Sequence, residues 1–166
     1  AYEISCSRVG SEMCIRDRRC VEVLDSIAHR MECSGNLNFA ASAILNGDRQ
    51  KATKAAISLA DSVENACLIV FTRRGLAATQ AAVLRPERAA IFAFSNDPVV
   101  VRQLALARDV TAFESPFLKD PARMISTALD LLKEKGLISS GQPVVIQGDS
   151  LQGELLADSI IFMRVE

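Results

Sequence analysis

The stretch Cys67-Leu-Ile-Val-Phe71, followed by Thr72-Arg-Arg-Gly75, decides the fold class. Five consecutive apolar residues bounded by polar and turn-forming residues are typical of a strand that is buried on both faces. An Ala-rich segment over 75–84 then predicts a helix, which should end at Arg85-Pro86 because a proline disfavours helical geometry in the residue before it. A doubly buried strand followed by a helix predicts the start of a βαβ unit in a parallel sheet.

The segments on either side repeat this alternation. Upstream, the spacing of Ala52, Ala56, Leu59 and Val63 predicts a helix over 48–64 with Asp48 as its cap. Downstream, Asp97-Pro98 predicts the cap and first-turn proline of the next helix. The predicted strands are 67–71, 89–94, 110–113, 143–147 and 159–165, and the predicted helices after the first strand are 75–84, 98–107 and 120–136.

This βαβαβαββ order predicts an α/β fold, a three-layer open sheet of five strands preceded by N-terminal helices. Right-handed crossovers give the strand order 3-2-1-4-5, with the last strand antiparallel at an edge. In such sheets ligands bind beyond the carboxyl ends of the strands, where the strand order reverses. The predicted crevice therefore lies between the loops at 72–77 and 148–154.

Two arginines stand in the first of these loops. Thr72-Arg-Arg-Gly75 lies where a strand gives way to a helix, so backbone N–H groups, the positive helix end and the Arg73 and Arg74 guanidiniums could converge on a phosphate. The alternative is that both are ordinary surface arginines. The residue types alone leave both interpretations open.

Other chemistry has little support in the sequence. The GxGxxG and GxxxxGK[ST] phosphate-binding patterns are absent, which argues against dinucleotide binding and P-loop hydrolysis. Ser139-Ser-Gly141 precedes a strand and is better explained as a turn than as a nucleophile elbow. Asp149, Glu154 and Asp158 are more simply solvated carboxylates than a metal site. No set of acid, base and nucleophile emerges, so we predict no catalytic residues and no metal site in this chain.

Composition limits the partners. The 166 residues carry 19 basic and 20 acidic side chains, so no overall charge draws the chain to nucleic acid or to an anionic membrane. No apolar run approaches the roughly 20 residues that span a bilayer. Five cysteines without a CxxC pair, and the single His29, argue against zinc. Unpaired thiols with Cys67 buried in a strand are the simpler interpretation, and they suit a cytoplasmic protein.

The N-terminal residues differ from the rest. Residues 1–19 show neither helical nor strand periodicity, and we predict that they are unstructured. They also look like translated adapter sequence, which would make them an artefact, although a genuine flexible arm is the alternative. From Cys20 the spacing of Val21, Leu24, Ile27 and Met31 predicts a helix that Gly35 ends.

From about Cys20 onward the chain resembles the C-terminal part of pyruvate kinase. No single motif carries the resemblance, which rests on the order and spacing of several. These are Thr72-Arg-Arg-Gly-Leu-Ala-Ala78, Leu84-Arg-Pro-Glu87, Ile91-Phe-Ala-Phe-Ser-Asn96, Val101-Arg-Gln-Leu104, Ala107-Arg-Asp-Val110 and Lys119-Asp-Pro121. The resemblance implies that 20–47 is a helical remnant of the barrel end with its connection, and that 48–166 is the regulatory C-terminal domain.

The resemblance also implies a function. The parent enzyme transfers phosphate between phosphoenolpyruvate and ADP in glycolysis, with magnesium and potassium, as a cytoplasmic tetramer. Its catalytic groups belong to a (β/α)8 barrel of about 250 residues, which this chain is too short to contain. We therefore expect the chain alone to be inactive and to act in regulation and assembly. The implied effector-binding residues are Thr72, Arg73, Arg74, Gly75 and Ala77.

The chain departs from members of the family that bind sugar bisphosphates. Their loop resembles Thr-Lys-Ser-Gly-Arg-Ser, so Thr72 and Gly75 match, while Arg74 replaces a serine and Leu76 an arginine. The second loop presents Asp149 and Glu154, which would repel a doubly charged sugar. This pattern argues against fructose 1,6-bisphosphate and for a smaller phosphorylated effector or none. Two other functions remain open: a stand-alone α/β module that senses a phosphorylated metabolite, and a pure oligomerisation domain.

Overall fold

The computed structural model describes residues 11–33, 42–118, 120–148 and 159–166. The chain divides into two compact units, 1–35 and 36–166, which we describe separately. Unit one contains helix α1 (Ser11–Cys33). In unit two the elements, in chain order, are α2 (Asp48–Ser62), β1 (Cys67–Phe71), α3 (Leu76–Leu84), β2 (Ala90–Ser95), α4 (Pro98–Leu104), β3 (Val110–Glu114), α5 (Pro121–Glu134), β4 (Pro143–Gly148) and β5 (Ser159–Arg164).

The five strands form one sheet in the order β3-β2-β1-β4-β5. Strand β1 is central and runs parallel to β2 and β4, and β2 runs parallel to β3. Strand β5 pairs antiparallel with β4 and forms an edge. Every residue of β1 and β4 is buried, as expected for strands covered on both faces. The predicted fold class, strand order and edge-strand direction are confirmed.

Alternating strand residues divide the core between two faces of the sheet. On one face, Leu68 and Val70 of β1 pack with buried residues of α2, α3 and α4. On the other face, Ile69 and Phe71 pack with buried residues of α5 and with a group of phenylalanines that includes Phe94. Helices thus cover both faces, and the middle layer is the sheet.

Helix starts largely follow the sequence signals. The Asp97 carboxylate accepts a hydrogen bond from Val99 N at 2.8 Å, and the Asp120 carboxylate accepts one from Ala122 N at 3.0 Å. Both helices continue with a proline in the first turn. The prediction that Asp48 caps α2 is wrong. Gly47 is the N-cap, and the Gln50 side chain accepts from the Gly47 backbone N–H instead.

Helix α1 begins earlier than predicted. It starts at Ser11, so the prediction of an unstructured leader is wrong for 11–19, while residues 1–10 lie outside the described residues. The sequence of α1 contains neither glycine nor proline, the two residues that most disfavour a helix interior. Apolar residues of its predicted stripe, including Val21, Leu24, Ile27 and Met31, are exposed. Gly35, predicted to end the helix, lies outside the described residues.

Within the described part of the chain, none of the helices is both long and apolar enough to cross a membrane.

Asp61 ties the last turn of α2 to the loop between α3 and β2. Its carboxylate accepts three backbone hydrogen bonds, from Glu87 N at 2.9 Å and from Arg88 N and Ala89 N at 3.0 Å each. Hydrogen bonds to a charged acceptor contribute more to stability than neutral ones. Asp61 therefore fixes where the chain enters β2.

We expect Asp61→Ala to lower the free energy of unfolding by about 1–3 kcal/mol, because three N–H donors lose their acceptor. Urea unfolding followed by circular dichroism measures the change. Asp130→Ala, at an exposed position of α5, is the matched control and should change stability by less than about 0.5 kcal/mol. Equal stability of the two variants would show that the Asp61 contacts are dispensable.

Cys67 begins the central strand and is buried, as predicted. Burial raises the pKa of the Cys67 thiol from its ordinary value of 9.0 to about 11, and a backbone hydrogen bond opposes part of this shift. The unfolded chain therefore releases the thiol proton at a lower pH than the folded chain does. The stability gained from the neutral thiol is fully present below about pH 9 and is lost as the pH rises toward 11.

Because of this shift, we expect the wild-type chain to lose about 2–3 kcal/mol of stability relative to Cys67→Ala between pH 8 and pH 11. Denaturant unfolding of both proteins across this range tests the prediction, since other titrating groups are common to both. A stability difference that does not change with pH would contradict it.

Candidate functional site

The carboxyl ends of the parallel strands meet at one edge of the sheet. Phe71, the last residue of β1, is in register with Phe94 of β2 and with Gly148, the last residue of β4. The segments that follow β1 and β4 therefore leave the sheet side by side. The first is the predicted site loop 72–77. Of the second predicted loop, 148–154, only Gly148 belongs to the described residues.

Gly75 sets the geometry of the site loop. It is the N-cap of α3 and has a left-handed backbone conformation with φ of +77°. A Cβ atom placed on it would lie 3.2 Å from Cγ1 of Val100 and 3.5 Å from Cδ2 of Leu104, both buried in α4. Only glycine combines this φ with so close an approach. The residue thus packs the start of α3 directly against α4.

The two arginines of the loop are available to a ligand. Arg73 and Arg74 are both exposed, and neither forms an ion pair with a carboxylate among the residues that the structure describes. Thr72, just before them, is buried, and its backbone N–H donates to Phe94 O at 2.9 Å. The sheet therefore holds Thr72 in place, and the two residues after it expose their guanidiniums to solvent without a carboxylate partner among the described residues.

The first turn of α3 adds backbone donors beside these arginines. Among the residues that the structure describes, no side chain accepts a hydrogen bond from its first N–H groups, and the first bond within the helix runs from Thr79 N to Gly75 O at 2.9 Å. Unpaired N–H groups at a helix start attract anions. Ala77 is partly buried against the core, so it can offer a ligand its backbone N–H and little of its side chain.

Polar side chains are buried mainly along this same edge. In the described residues, four of the five buried polar side chains belong to the ends of β1 to β4 or to the residues immediately after them, and the fifth lies near the start of α2. They are Thr72, Ser95, Ser115, Gln147 and Thr53. The rest of the sheet interior is apolar. The carboxyl edge is therefore the chemically distinct part of the core.

Gln147 is the site feature that sequence reasoning missed. Its side-chain NH2 donates to Thr53 Oγ1 at 2.8 Å, and Thr53 Oγ1 in turn donates to Arg49 O at 3.0 Å. The Gln147 Oε1 atom is buried and has no donor among the described residues. The sequence shows only a glutamine at the end of a predicted apolar strand. A polar residue is common at a strand end, so this pattern does not indicate a buried polar group.

A polar cleft of about 800 Å³ lies at the opposite, amino edge of the sheet, next to the turn at Ser139–Gly141. Several of its polar groups already bond to one another: Gln142 Nε2 donates to Asn65 O at 3.0 Å, and an Arg164 nitrogen donates to Gly141 O at 3.1 Å. Gln142 N also donates to Ser139 O at 3.1 Å, which confirms the predicted turn. These contacts join the start of β4 to the end of β5 and to the residues before β1. Because they already use the polar groups of the cleft, the cleft is a weaker candidate for a ligand-binding site.

Among the residues that the structure describes, no group of three or more histidine, cysteine or acidic side chains is placed to hold a metal ion. Asp149, Glu154 and Asp158 lie outside the described residues.

A family model described as "Pyruvate kinase, alpha/beta domain" matches residues 50–158, about two thirds of the chain. This chain belongs to that pyruvate kinase family. The match includes strands β1 to β4 and the site loop, and it ends one residue before the edge strand β5. The suspected resemblance is confirmed at the level of the family and of the domain.

Known pyruvate kinases agree with this assignment. The chain is 30% identical over 130 residues to "Pyruvate kinase isozyme G, chloroplastic" of Ricinus communis, covering 77% of this chain and 31% of the relative. It is 26% identical over 146 residues to a pyruvate kinase of Eimeria tenella, covering 87% of this chain and 26% of the relative. The chain thus spans less than a third of either relative.

A solved structure shares the fold. A crystal structure of a pyruvate kinase from Cryptosporidium parvum superposes with a TM-score of 0.65 at 25% sequence identity, covering 75% of this chain and 24% of that one. Three quarters of this chain therefore share their architecture with one part of a longer pyruvate kinase.

Proposed function

We propose that this chain is the regulatory and assembly part of a pyruvate kinase, and that a small phosphorylated molecule binds at Thr72, Arg73, Arg74, Gly75 and Ala77. The observation that carries the proposal is the placement of two exposed arginines beside the start of α3, where the described residues provide neither a carboxylate partner nor a side-chain cap. A phosphate group there would accept bidentate hydrogen bonds from a guanidinium and bonds from backbone N–H groups.

The charge balance around the loop favours a ligand with one phosphate. Arg73 and Arg74 supply two positive charges, and the Leu76 and Ala77 side chains supply no further donor. The buried Gln147 Oε1 atom, near the same edge, is an acceptor that a ligand hydroxyl or amine would satisfy. A nucleoside monophosphate or a sugar monophosphate combines these features, and fructose 1,6-bisphosphate matches them less well.

The assembly part of the proposal rests on strand β5. It is an edge strand with Ile160 and Phe162 exposed on the face that α2 to α4 cover elsewhere. An apolar strand at a sheet edge is a template for pairing with another strand. We propose that β5 contributes to self-association and that the parent enzyme is a tetramer.

The catalytic part of the proposal concerns the parent enzyme alone. The parent would transfer phosphate between phosphoenolpyruvate and ADP with magnesium and potassium in the cytoplasm, and this chain would not turn over substrate. The match of residues 50–158 to a model of the α/β domain supports this separation between the role of the chain and the reaction of the parent enzyme. Turnover by the purified chain in a coupled assay would overturn it.

A stand-alone metabolite-sensing module is the second candidate function. The two-sided core of residues 36–166 favours it, because such a unit does not depend on another domain for its hydrophobic interior. The genomic sequence upstream of Cys20 distinguishes the candidates. Barrel codons that run in frame into Cys20 support the first, and a start codon at that point supports the second.

The site is tested by titrating the chain with adenosine monophosphate and glucose 6-phosphate in a calorimeter. We expect one of these probes to bind, and we expect Arg74→Ala to weaken that binding by about 10- to 100-fold through loss of a charge-assisted contact.

Arg102→Ala is the matched control, because Arg102 is an exposed arginine on α4 outside the proposed site. Its affinity should stay within about twofold of wild type. Equal weakening by both substitutions would indicate a nonspecific charge effect. If neither probe binds, the regulatory part of the proposal is contradicted.

A further inference from the structure

Four phenylalanine rings meet at the carboxyl edge of the sheet, on the face that α5 covers. Phe71 of β1, Phe94 of β2 and Phe113 of β3 are in register, and neighbouring ring centroids lie 5.4 Å apart. The fourth ring, that of Phe117, lies 6.4 Å from the ring of Phe71. Three of the rings thus come from the strands, and the fourth comes from the connection between β3 and α5.

The connection that carries Phe117 crosses the edge of the sheet from β3 toward β1. Ser115 N donates to Ser95 O at 2.9 Å, so the chain lies beside β2 at that point, and two residues later the Phe117 ring lies next to Phe71. Phe71 is the last residue before the site loop. Since a chain of n residues spans at most about 3.6 Å × n, the two arginines of the loop begin within roughly 7 and 11 Å of Phe71. The Phe117 ring and the two arginines therefore lie at the same end of the central strand.

Phe117 is only partly buried, although phenylalanine is among the residues most often fully buried. The planes of the Phe117 and Phe71 rings are inclined by 71°, so the two rings do not stack face to face. The neighbours of Phe117 in sequence, a proline and a leucine, are both exposed. Phe113 is also partly buried, but it has the Lys135 Nζ atom over its ring, 5.8 Å from the centroid. Phe117 thus presents an aromatic surface between apolar neighbours, beside the candidate phosphate site.

We propose that the ligand of this site is a nucleoside monophosphate whose base packs against the Phe117 ring while Arg73 and Arg74 hold its phosphate. The inference rests on the phosphate site proposed above and adds the class of ligand. A nucleobase is a flat aromatic group, and every base has a face that stacks on aromatic side chains. The ribose would cross the end of β1 between the two contacts.

The side chains around Phe117 favour a base over a sugar ring that is rich in hydroxyl groups. Pro116, Phe117 and Leu118 provide no side-chain donor or acceptor. Sugar hydroxyls packed against them would lose hydrogen bonds to water without replacement, which is unfavourable. The face of a base loses none, because the donors and acceptors of a base lie in the plane of its ring. A nucleoside monophosphate therefore matches this side of the site better than a sugar monophosphate does.

The test is calorimetry of the full 166-residue chain with adenosine monophosphate and with ribose 5-phosphate, which carries the phosphorylated ribose without the base. Stacking of a base on an aromatic side chain changes affinity by about 5- to 150-fold, so adenosine monophosphate should bind at least about tenfold more tightly. Phe117→Leu should weaken the binding of adenosine monophosphate at least about fivefold and leave the affinity for ribose 5-phosphate within about twofold, because only the base contact is lost.

Nuclear magnetic resonance of the bound ligand reports the contact directly. The adenine H2 and H8 resonances should move upfield on binding to the wild-type chain, because an aromatic ring shields protons above its face. Phe117→Leu should abolish this shift.

Two variants serve as matched controls. Phe117→Tyr keeps an aromatic ring and should retain the affinity for adenosine monophosphate within about twofold. Phe162→Leu changes an exposed phenylalanine on β5, outside the site, and should leave both affinities within about twofold of wild type. Binding of ribose 5-phosphate by Phe117→Leu verifies that this variant folds with an intact phosphate site.

The outcomes separate this inference from the proposed function. Equal affinities of the wild-type chain for the two compounds overturn the base contact and leave the phosphate site standing. Tighter binding of adenosine monophosphate that Phe117→Leu does not change also overturns it, because the base then lies elsewhere. If Phe117→Leu loses both ligands, the adenine resonances in the wild-type and Phe117→Tyr complexes decide, and the absence of an upfield shift there overturns the inference. If neither compound binds the wild-type chain, the phosphate site is contradicted and the inference falls with it.

Discussion

Phe94→Ala should lower the free energy of unfolding by about 3–5 kcal/mol. Phe94 is fully buried in β2 and is in register with Phe71 of β1 and Phe113 of β3. Its ring centroid lies 5.4 Å from each of those rings. Truncation removes apolar surface and the two ring contacts, and it leaves a cavity between the sheet and α5. Because small domains are stable by only about 5–15 kcal/mol, this single change removes a large fraction of the total.

Urea unfolding followed by circular dichroism measures this effect, and Phe162→Ala is the matched control. Phe162 belongs to the same sheet and is exposed on one face of β5, so its truncation should cost less than about 1.5 kcal/mol. Similar losses for the two variants would mean that the phenylalanines across β1, β2 and β3 do not form the centre of the core.

Gly75→Ala should lower the free energy of unfolding by about 2–3 kcal/mol. Alanine at a φ of +77° costs about 1 kcal/mol by itself. The added Cβ would also lie 3.2 Å from Val100 Cγ1, which is buried and has little room to move. Since Gly75 begins α3 at the candidate site, the variant should also weaken binding of a phosphorylated probe.

Gly136→Ala separates the two contributions. Gly136 follows α5 with a φ of +68°, and no atom lies within 4 Å of a Cβ placed on it. This variant should show the conformational cost alone, about 1 kcal/mol. If the two alanine variants lose the same stability, the close packing of Gly75 on α4 contributes nothing.

Most of the fold was predictable because its signals are local and agree with each other. The all-apolar run Cys67–Phe71 gave the central strand, and Asp97-Pro98 fixed the start of a helix. Right-handed crossovers then determine the strand order. The N-cap of a helix is harder to predict where two neighbouring residues can both occupy that position. At the start of α2, Asp48 was predicted as the cap, but the reach of Gln50 back to Gly47 placed the cap one residue earlier.

The candidate site was predictable only in part. Topology and the sequence Thr72-Arg-Arg-Gly75 locate the loop, because the carboxyl edge follows from the strand order. The Gln147–Thr53 hydrogen bond joins residues 94 positions apart, and local sequence patterns do not encode such a pairing. The exposure of Leu76 and Val83 is also a tertiary property, since an apolar face gives the same sequence pattern whether a helix packs inward or against another chain.

The most direct test of the account is nuclear magnetic resonance mapping of the phosphorylated probe that binds in the calorimeter. We predict that the amide resonances that shift most are those of Thr72 to Ala78, with the Gln147 side-chain amide among them, and that these shifts are lost in Arg74→Ala. Saturable shifts centred elsewhere, such as the cleft beside Ser139–Gly141 at the opposite edge, would contradict a regulatory site at the carboxyl edge of the sheet.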